Sequence, residues 1–124
     1  MYIKSETSSE SYVANDGCRI TELIHPKHFD FNLGDGLNFS FAVAEVAVGE
    51  QTYQHILDQH EVYYVLAGVG EMHIDEEIAE INAREAVLIP AGSVQWIKNI
   101  GDCVLRFVAV VSPPWTAEGD HRIA

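Results

Sequence analysis

At 124 residues the chain has room for one domain with a substantial core, and not for two. Seven Lys and Arg against nineteen Asp and Glu give a formal charge of −12, which removes the basic face that nucleic-acid phosphates require. Apolar runs are short, the longest being broken by Arg106 within Val104 to Val111, and the first residues lack a signal peptide's basic and then apolar layout. A cytoplasmic protein with neither a membrane nor a nucleic-acid partner is the expectation. Cys18 and Cys103 have no paired spacing and read as two free thiols in a reducing compartment.

The first dozen residues are rich in Ser and Glu and predict loose order. Cys18 to Ile24 predicts a strand that stops before His25-Pro26. Phe39, Phe41 and Val43 alternate with Ser40, Ala42 and Ala44, a period of two that runs to Val48. Glu61 to Leu66 alternates in the same way and is rich in aromatic and β-branched residues. Met72 to Asp75 and Ile78 to Ile81 flank Glu76-Glu77 as a short hairpin. Ala86 to Ile89 predicts a strand ended by the turn Pro90-Ala91-Gly92. Gln95 to Ile100 and Val104 to Val111 follow, split by Gly101-Asp102. The prolines of Pro113-Pro114-Trp115 forbid a central strand there, so Trp115 is expected to fold back over the body of the protein or onto a partner. Many short strands at even spacing predict an all-β sandwich or barrel.

Within this frame Gly49 to Gly68 stands out. Residues 55 and 57 lie on one face of a strand, so a His-x-His pair there would aim two imidazoles at one point. Here the pair reads His55-Ile56-Leu57, followed by Glu61 and Gly68. A second set lies at Arg84, Pro90, Gly92, Gln95 and Asn99. Together these resemble the two conserved motifs of the cupin superfamily, small single-domain type, over roughly residues 38 to 112. Leu57 and Gln95 stand in slots that usually hold histidine, and Arg84 in one that usually holds glycine. The resemblance implies a double-stranded β-helix, or jelly-roll barrel, over residues 38–112. It also implies an N-terminal arm, 1–37, whose strand packs on the barrel or a partner subunit, a C-terminal tail, 113–124, and a homodimer.

The same resemblance points His55 and Glu61 into the barrel, as metal ligands or as catalytic groups. Gln95 offers a neutral oxygen to a metal, a substrate or a metal-bound water. His60 would join the ligands if the turn at Asp58-Gln59 is irregular, whereas ordinary alternation sends it to the face opposite Glu61. His73 reads as facing solvent, and His25, His28 and His121 as surface residues. Tyr53, Tyr63, Phe41 and Trp96 are candidate pocket walls, Tyr53 and Trp96 because each lies near a motif slot.

The leading expectation is a divalent-metal protein (Fe, Mn, Ni or Zn) acting on a small organic molecule by dioxygenase, isomerase, decarboxylase or lyase chemistry. The alternatives are a metal-free epimerase or isomerase using His55 and Glu61 as an acid–base pair, and a small-ligand binding module without catalysis.

Overall fold

The computed structural model describes residues 1–29 and 36–123. Eleven strands run in chain order: β1 (Tyr12–Val13), β2 (Arg19–Ile24), β3 (Ser40–Val46), β4 (His55–Leu57), β5 (His60–Ala67), β6 (Val69–Ile74), β7 (Glu77–Asn82), β8 (Ala86–Ile89), β9 (Val94–Asn99), β10 (Leu105–Ser112) and β11 (Asp120–Arg122). A single 3-10 turn at Pro26–His28 is the only helix among the described residues, and no described helix is long and apolar enough to cross a membrane. The strands form two antiparallel sheets, a six-stranded one in the order β1-β2-β3-β10-β5-β8 and a five-stranded one in the order β11-β4-β9-β6-β7. This is the jelly-roll arrangement that the strand spacing and motif resemblance led us to expect.

Alternation in the sequence becomes alternation in burial. Along β10 every second residue from Leu105 to Val111 is buried, and β9 repeats the pattern at Gln95, Ile97 and Asn99. The inward rows of both sheets meet in a core of Val65, Met72, Ile97, Leu105 and Phe107, with the Tyr63 and Phe107 rings 4.3 Å apart. Each such side chain removed from water contributes roughly 1.5–3 kcal/mol.

The turn residues follow from backbone geometry. Gly68 has φ +93°, and a Cβ there would lie 3.0 Å from the Leu105 Cα, so both conformation and close approach demand glycine. Arg84 occupies a slot that usually holds glycine, and it too adopts a positive φ, 73°. The turn keeps its left-handed conformation although the residue is ill suited to it.

Both chain ends dock on the barrel. Strand β2 pairs with β3 of the same chain, from Arg19 opposite Glu45 to Ile24 opposite Phe41. The tail returns as β11 beside β4, with Asp120 opposite Leu57 and Arg122 opposite His55. His25 joins the two ends: its Nε2 donates to the Trp115 carbonyl at 2.8 Å while its Nδ1 accepts from the Lys27 N–H. It is buried, unlike the surface histidine expected, because the tail covers it. The opening residues also have partners, Glu6 in an ion pair with Arg106 and Tyr2 in ring contact with Phe29.

Candidate functional site

At one end of the barrel a partly open cavity of about 50 Å³ lies between the sheets. Its apolar wall comes from the inward rows of β3 and β10, including Ala42, Ala44, Phe107, Ala109 and Val111. Its polar groups include His55 from β4, Glu61 and Tyr63 from β5, Asp16, Cys18 and Glu22 from the N-terminal arm, and Asp120 and Trp115 from the tail.

His55 is the centre of this cluster. Strand alternation turns it inward with Leu57, and only 3 % of it is exposed. Asp120 is its diagonal neighbour across the β4–β11 pair, close enough for the side chains to meet. His55 Nδ1 donates to Asp120 Oδ1 at 2.8 Å, and the Trp115 indole N–H holds the other Asp120 oxygen at 3.1 Å. A carboxylate only accepts, so this contact places the proton of a neutral ring on Nδ1 and leaves a lone pair on Nε2. That Nε2 is buried without a hydrogen-bond partner. Its nearest charged neighbour is Asp16 Oδ2, at 3.7 Å.

Asp16 is fixed from the other side. Its Oδ1 accepts from the Cys18 N–H at 3.1 Å and from the Cys18 thiol at 2.9 Å. Burial and the Asp16 charge hold the Cys18 thiol well above its usual pKa, so Cys18 is a structural thiol rather than a nucleophile.

Glu61 lies buried beside Gln95, whose Nε2 donates to Glu61 Oε1 at 3.2 Å. Burial pushes the Glu61 carboxyl up to about 8, against the opposing pull of His55, with Asp16 adding to the rise. For His55 burial is the largest effect and lowers its pKa. The Asp120 hydrogen bond and the charges of Asp16, Asp120 and Glu61 together outweigh burial, so the net shift is upward. Gln95 Oε1 has no donor. Turning that amide over would present the oxygen to the hydroxyl of a protonated Glu61.

Of the residues singled out in the sequence, the structure brings together His55, Glu61, Gln95 and Tyr63. The others lie elsewhere. His60 is exposed, with its Nδ1 accepting the Ala91 N–H at 3.0 Å, because β5 alternates regularly from its first residue. Trp96 adjoins the inward Gln95 and so faces out, stacked on His73 with ring centroids 3.6 Å apart. His73 is thereby largely covered on the outer face, where it pairs with Glu71, rather than facing solvent as expected. Tyr53 precedes β4, outside the reach of strand alternation, and its ring lies under the Arg122 guanidinium. Phe41 points to the outer side of β3, opposite the cavity-lining Ala42. Asp16, Cys18, Asp120 and Trp115 carry no motif signal as site residues, although the proline-bounded Trp115 marks a tail that folds back.

The donor set does not suit the divalent metal that the resemblance implies. Leu57 is apolar and buried in one ligand slot. Gln95 engages its amide with Glu61 in another, and the Glu61 carboxyl favours its proton at neutral pH. Among the described residues no group of three His, Cys, Asp or Glu side chains is arranged to hold an ion.

Comparison with known proteins agrees with this architecture. The family model described as "Cupin domain" matches residues 42–111. An uncharacterized protein of Methanocaldococcus jannaschii is 35% identical over 118 residues, spanning 94% of this chain and 90% of its own length. Solved structures similar in fold include the following two. A predicted oxalate decarboxylase from Thermotoga maritima has a TM-score of 0.76 at 19% identity, covering 90% of this chain and 99% of its own. The polyketide cyclase RemF from Streptomyces resistomycificus also scores 0.76, at 20% identity, covering 100% of this chain and 86% of its own.

Proposed function

The chain belongs to the cupin domain family, and from that premise we propose that it is a metal-free acid–base catalyst acting on a small carbonyl compound, of the isomerase or epimerase type. The observation that carries this reading is the bare, buried Nε2 of His55, facing a cavity that Glu61 also lines, while Asp120 fixes the other ring nitrogen. An imidazole held this way is oriented to take a proton from a bound molecule. A carboxyl raised to about 8 is largely protonated at neutral pH and can donate one.

The chemistry balances without a co-reactant. His55 Nε2 takes a proton from the carbon beside the carbonyl, and the C–H electron pair becomes the C=C bond of an enol. The carbonyl oxygen takes the Glu61 proton. Where the deprotonated carbon bears a hydroxyl the intermediate is an enediol. His55 then returns its proton to the former carbonyl carbon. The neighbouring hydroxyl gives its proton to Glu61 and becomes the new carbonyl, which completes isomerisation and restores both groups. Epimerisation follows when the enol turns its other face to His55 Nε2, takes the proton back there and returns its O–H proton to Glu61. The apolar wall of Ala42, Ala44, Phe107 and Ala109 excludes water, which strengthens the hydrogen bond to the developing oxyanion. The Asp120 carboxylate stabilises the imidazolium that forms, and Trp115 keeps that carboxylate in place.

The test is exchange of carbon-bound hydrogen for deuterium, followed by NMR, in small ketones and aldehydes incubated with the protein in D₂O. Exchange should be catalysed by the unaltered protein and fall by about 10²-fold or more in His55→Gln and in Glu61→Gln. Binding without exchange would identify a ligand-holding module instead.

A further inference from the structure

The walls of the cavity also bear on what enters it. Four carboxylates line it, Asp16, Glu22, Glu61 and Asp120, and none of its described lining residues is Lys or Arg. All four have partners: Glu22 pairs with Lys27 and His28, Asp120 with His55 and Trp115, Glu61 with Gln95 and Asp16 with Cys18. Asp16 is the one whose second oxygen lies opposite the unpartnered His55 nitrogen. Its Oδ1 is held by Cys18, but its Oδ2 has only the His55 Nε2 opposite, at 3.7 Å. That separation is too long for a hydrogen bond and leaves both atoms directed at shared space. His55 Nε2 is itself buried and unpartnered, an independent sign that a polar group belongs there. A carboxylate oxygen of the largely buried Asp16, beside a bare imidazole and walled by alanines and a phenylalanine, suits a cation with donors and a short apolar body.

We propose that the cavity takes a small primary amine, bound as its ammonium at Asp16 Oδ2. Resting as it does on the acid–base reading of the site, the inference makes the substrate class an amino ketone or amino aldehyde of a few carbons. A partly open space of about 50 Å³ suits that size, since one water-sized group needs roughly 10–15 Å³. The ammonium N–H groups satisfy Asp16 Oδ2, and the positive charge offsets the acidic lining. An anionic substrate meets repulsion from Asp16 and Asp120 and finds no lining Lys or Arg to hold it. The carbon next to the amine then lies near His55 Nε2, where its acidity is increased by both the carbonyl and the ammonium group.

Three probes of nearly equal size separate these possibilities: aminoacetone, hydroxyacetone and pyruvate, which carry positive, no and negative charge. Affinity is measured by calorimetry at matched pH and ionic strength, and hydrogen–deuterium exchange is followed by NMR in the same samples. Aminoacetone should bind at least tenfold more tightly than hydroxyacetone, and pyruvate most weakly. In Asp16→Asn that preference should disappear, and Asp16→Glu should restore part of it. If Asp16→Asn fails to fold, the ranking in the unaltered protein decides the matter. Equal or tighter binding of hydroxyacetone or pyruvate overturns the proposal, as does failure of all three to bind at millimolar concentration. A folded Asp16→Asn that keeps the preference overturns the assignment to Asp16. The two readings fail differently: aminoacetone bound preferentially but not exchanged sinks the catalytic function alone, and rapid exchange in pyruvate sinks the amine alone.

Discussion

His55 and His73 lie on opposite faces of the same five-stranded sheet, with a ring nitrogen 2.8 Å and 2.7 Å, respectively, from a carboxylate. Outside, His73 stacks on Trp96 and pairs with the half-exposed Glu71, and neither of its ring nitrogens is buried without a partner. Inside, His55 is sealed between Asp120, Asp16 and an apolar wall, and its second nitrogen has none. One pairing motif thus gives an outer-face contact in one place and a buried, half-partnered imidazole in the other. What separates them is the environment of the unpaired nitrogen, not the presence of a carboxylate.

The largest expected effect breaks the inner pair. Asp120→Ala leaves His55 Nδ1 and the Trp115 indole unpartnered in the interior, and should cost about 3–5 kcal/mol in urea unfolding along with any exchange activity. Next comes pH. Glu61 has a pKa near 4.5 when unfolded and about 8 when folded. Between those values the folded chain keeps a proton that the unfolded chain gives up, so stability falls as pH rises from about 4.5 to about 8. His55, raised from 6.5, contributes stability that is present at low pH and lost as pH climbs through its folded value, in the same direction. The Glu61 contribution is on the order of 5 kcal/mol. Denaturation curves should therefore shift down over this range, and Glu61→Gln should flatten the slope.

A smaller change sharpens the contrast by construction. Leu57→His adds a second imidazole on the cavity face of β4 and should raise Ni(II) or Zn(II) affinity at least tenfold, read by calorimetry, with the unaltered protein as reference. Arg84→Gly relieves a positive φ and should stabilise by about 0.5–1 kcal/mol, once the greater freedom of glycine in the unfolded chain is subtracted. Least of all, His73→Ala on the outer face should cost under about 1 kcal/mol and leave exchange unchanged.

Much of the barrel was legible because strand alternation and turn chemistry are local. Ala86 to Ile89 falls on β8 without error, and the remaining predicted strands differ from the observed ones by a few residues at their ends. The site was legible only where it lies on those strands. His55, Glu61, Gln95 and Tyr63 follow from inward rows. Trp96 does not, although alternation from Gln95 already sends it outward. Asp16 and Asp120 were out of reach, since nothing near them in sequence shows that the β1–β2 turn and β11 carry them to His55. Long-range strand pairing is what single-sequence patterns express least.

That pairing has a consequence for the order in which the protein can be made ready. Asp120 lies 65 positions beyond His55, and Asp16 lies on the far side of it, in the first quarter of the chain. A nascent chain emerging from the ribosome carries the imidazole and its first acid long before the second exists. Contacts of such separation close late in folding. The apolar barrel can collapse from β3 to β10 while its histidine still lacks an orienting partner, so any exchange activity should be the last property to appear on refolding, after the far-UV signal of the strands has settled.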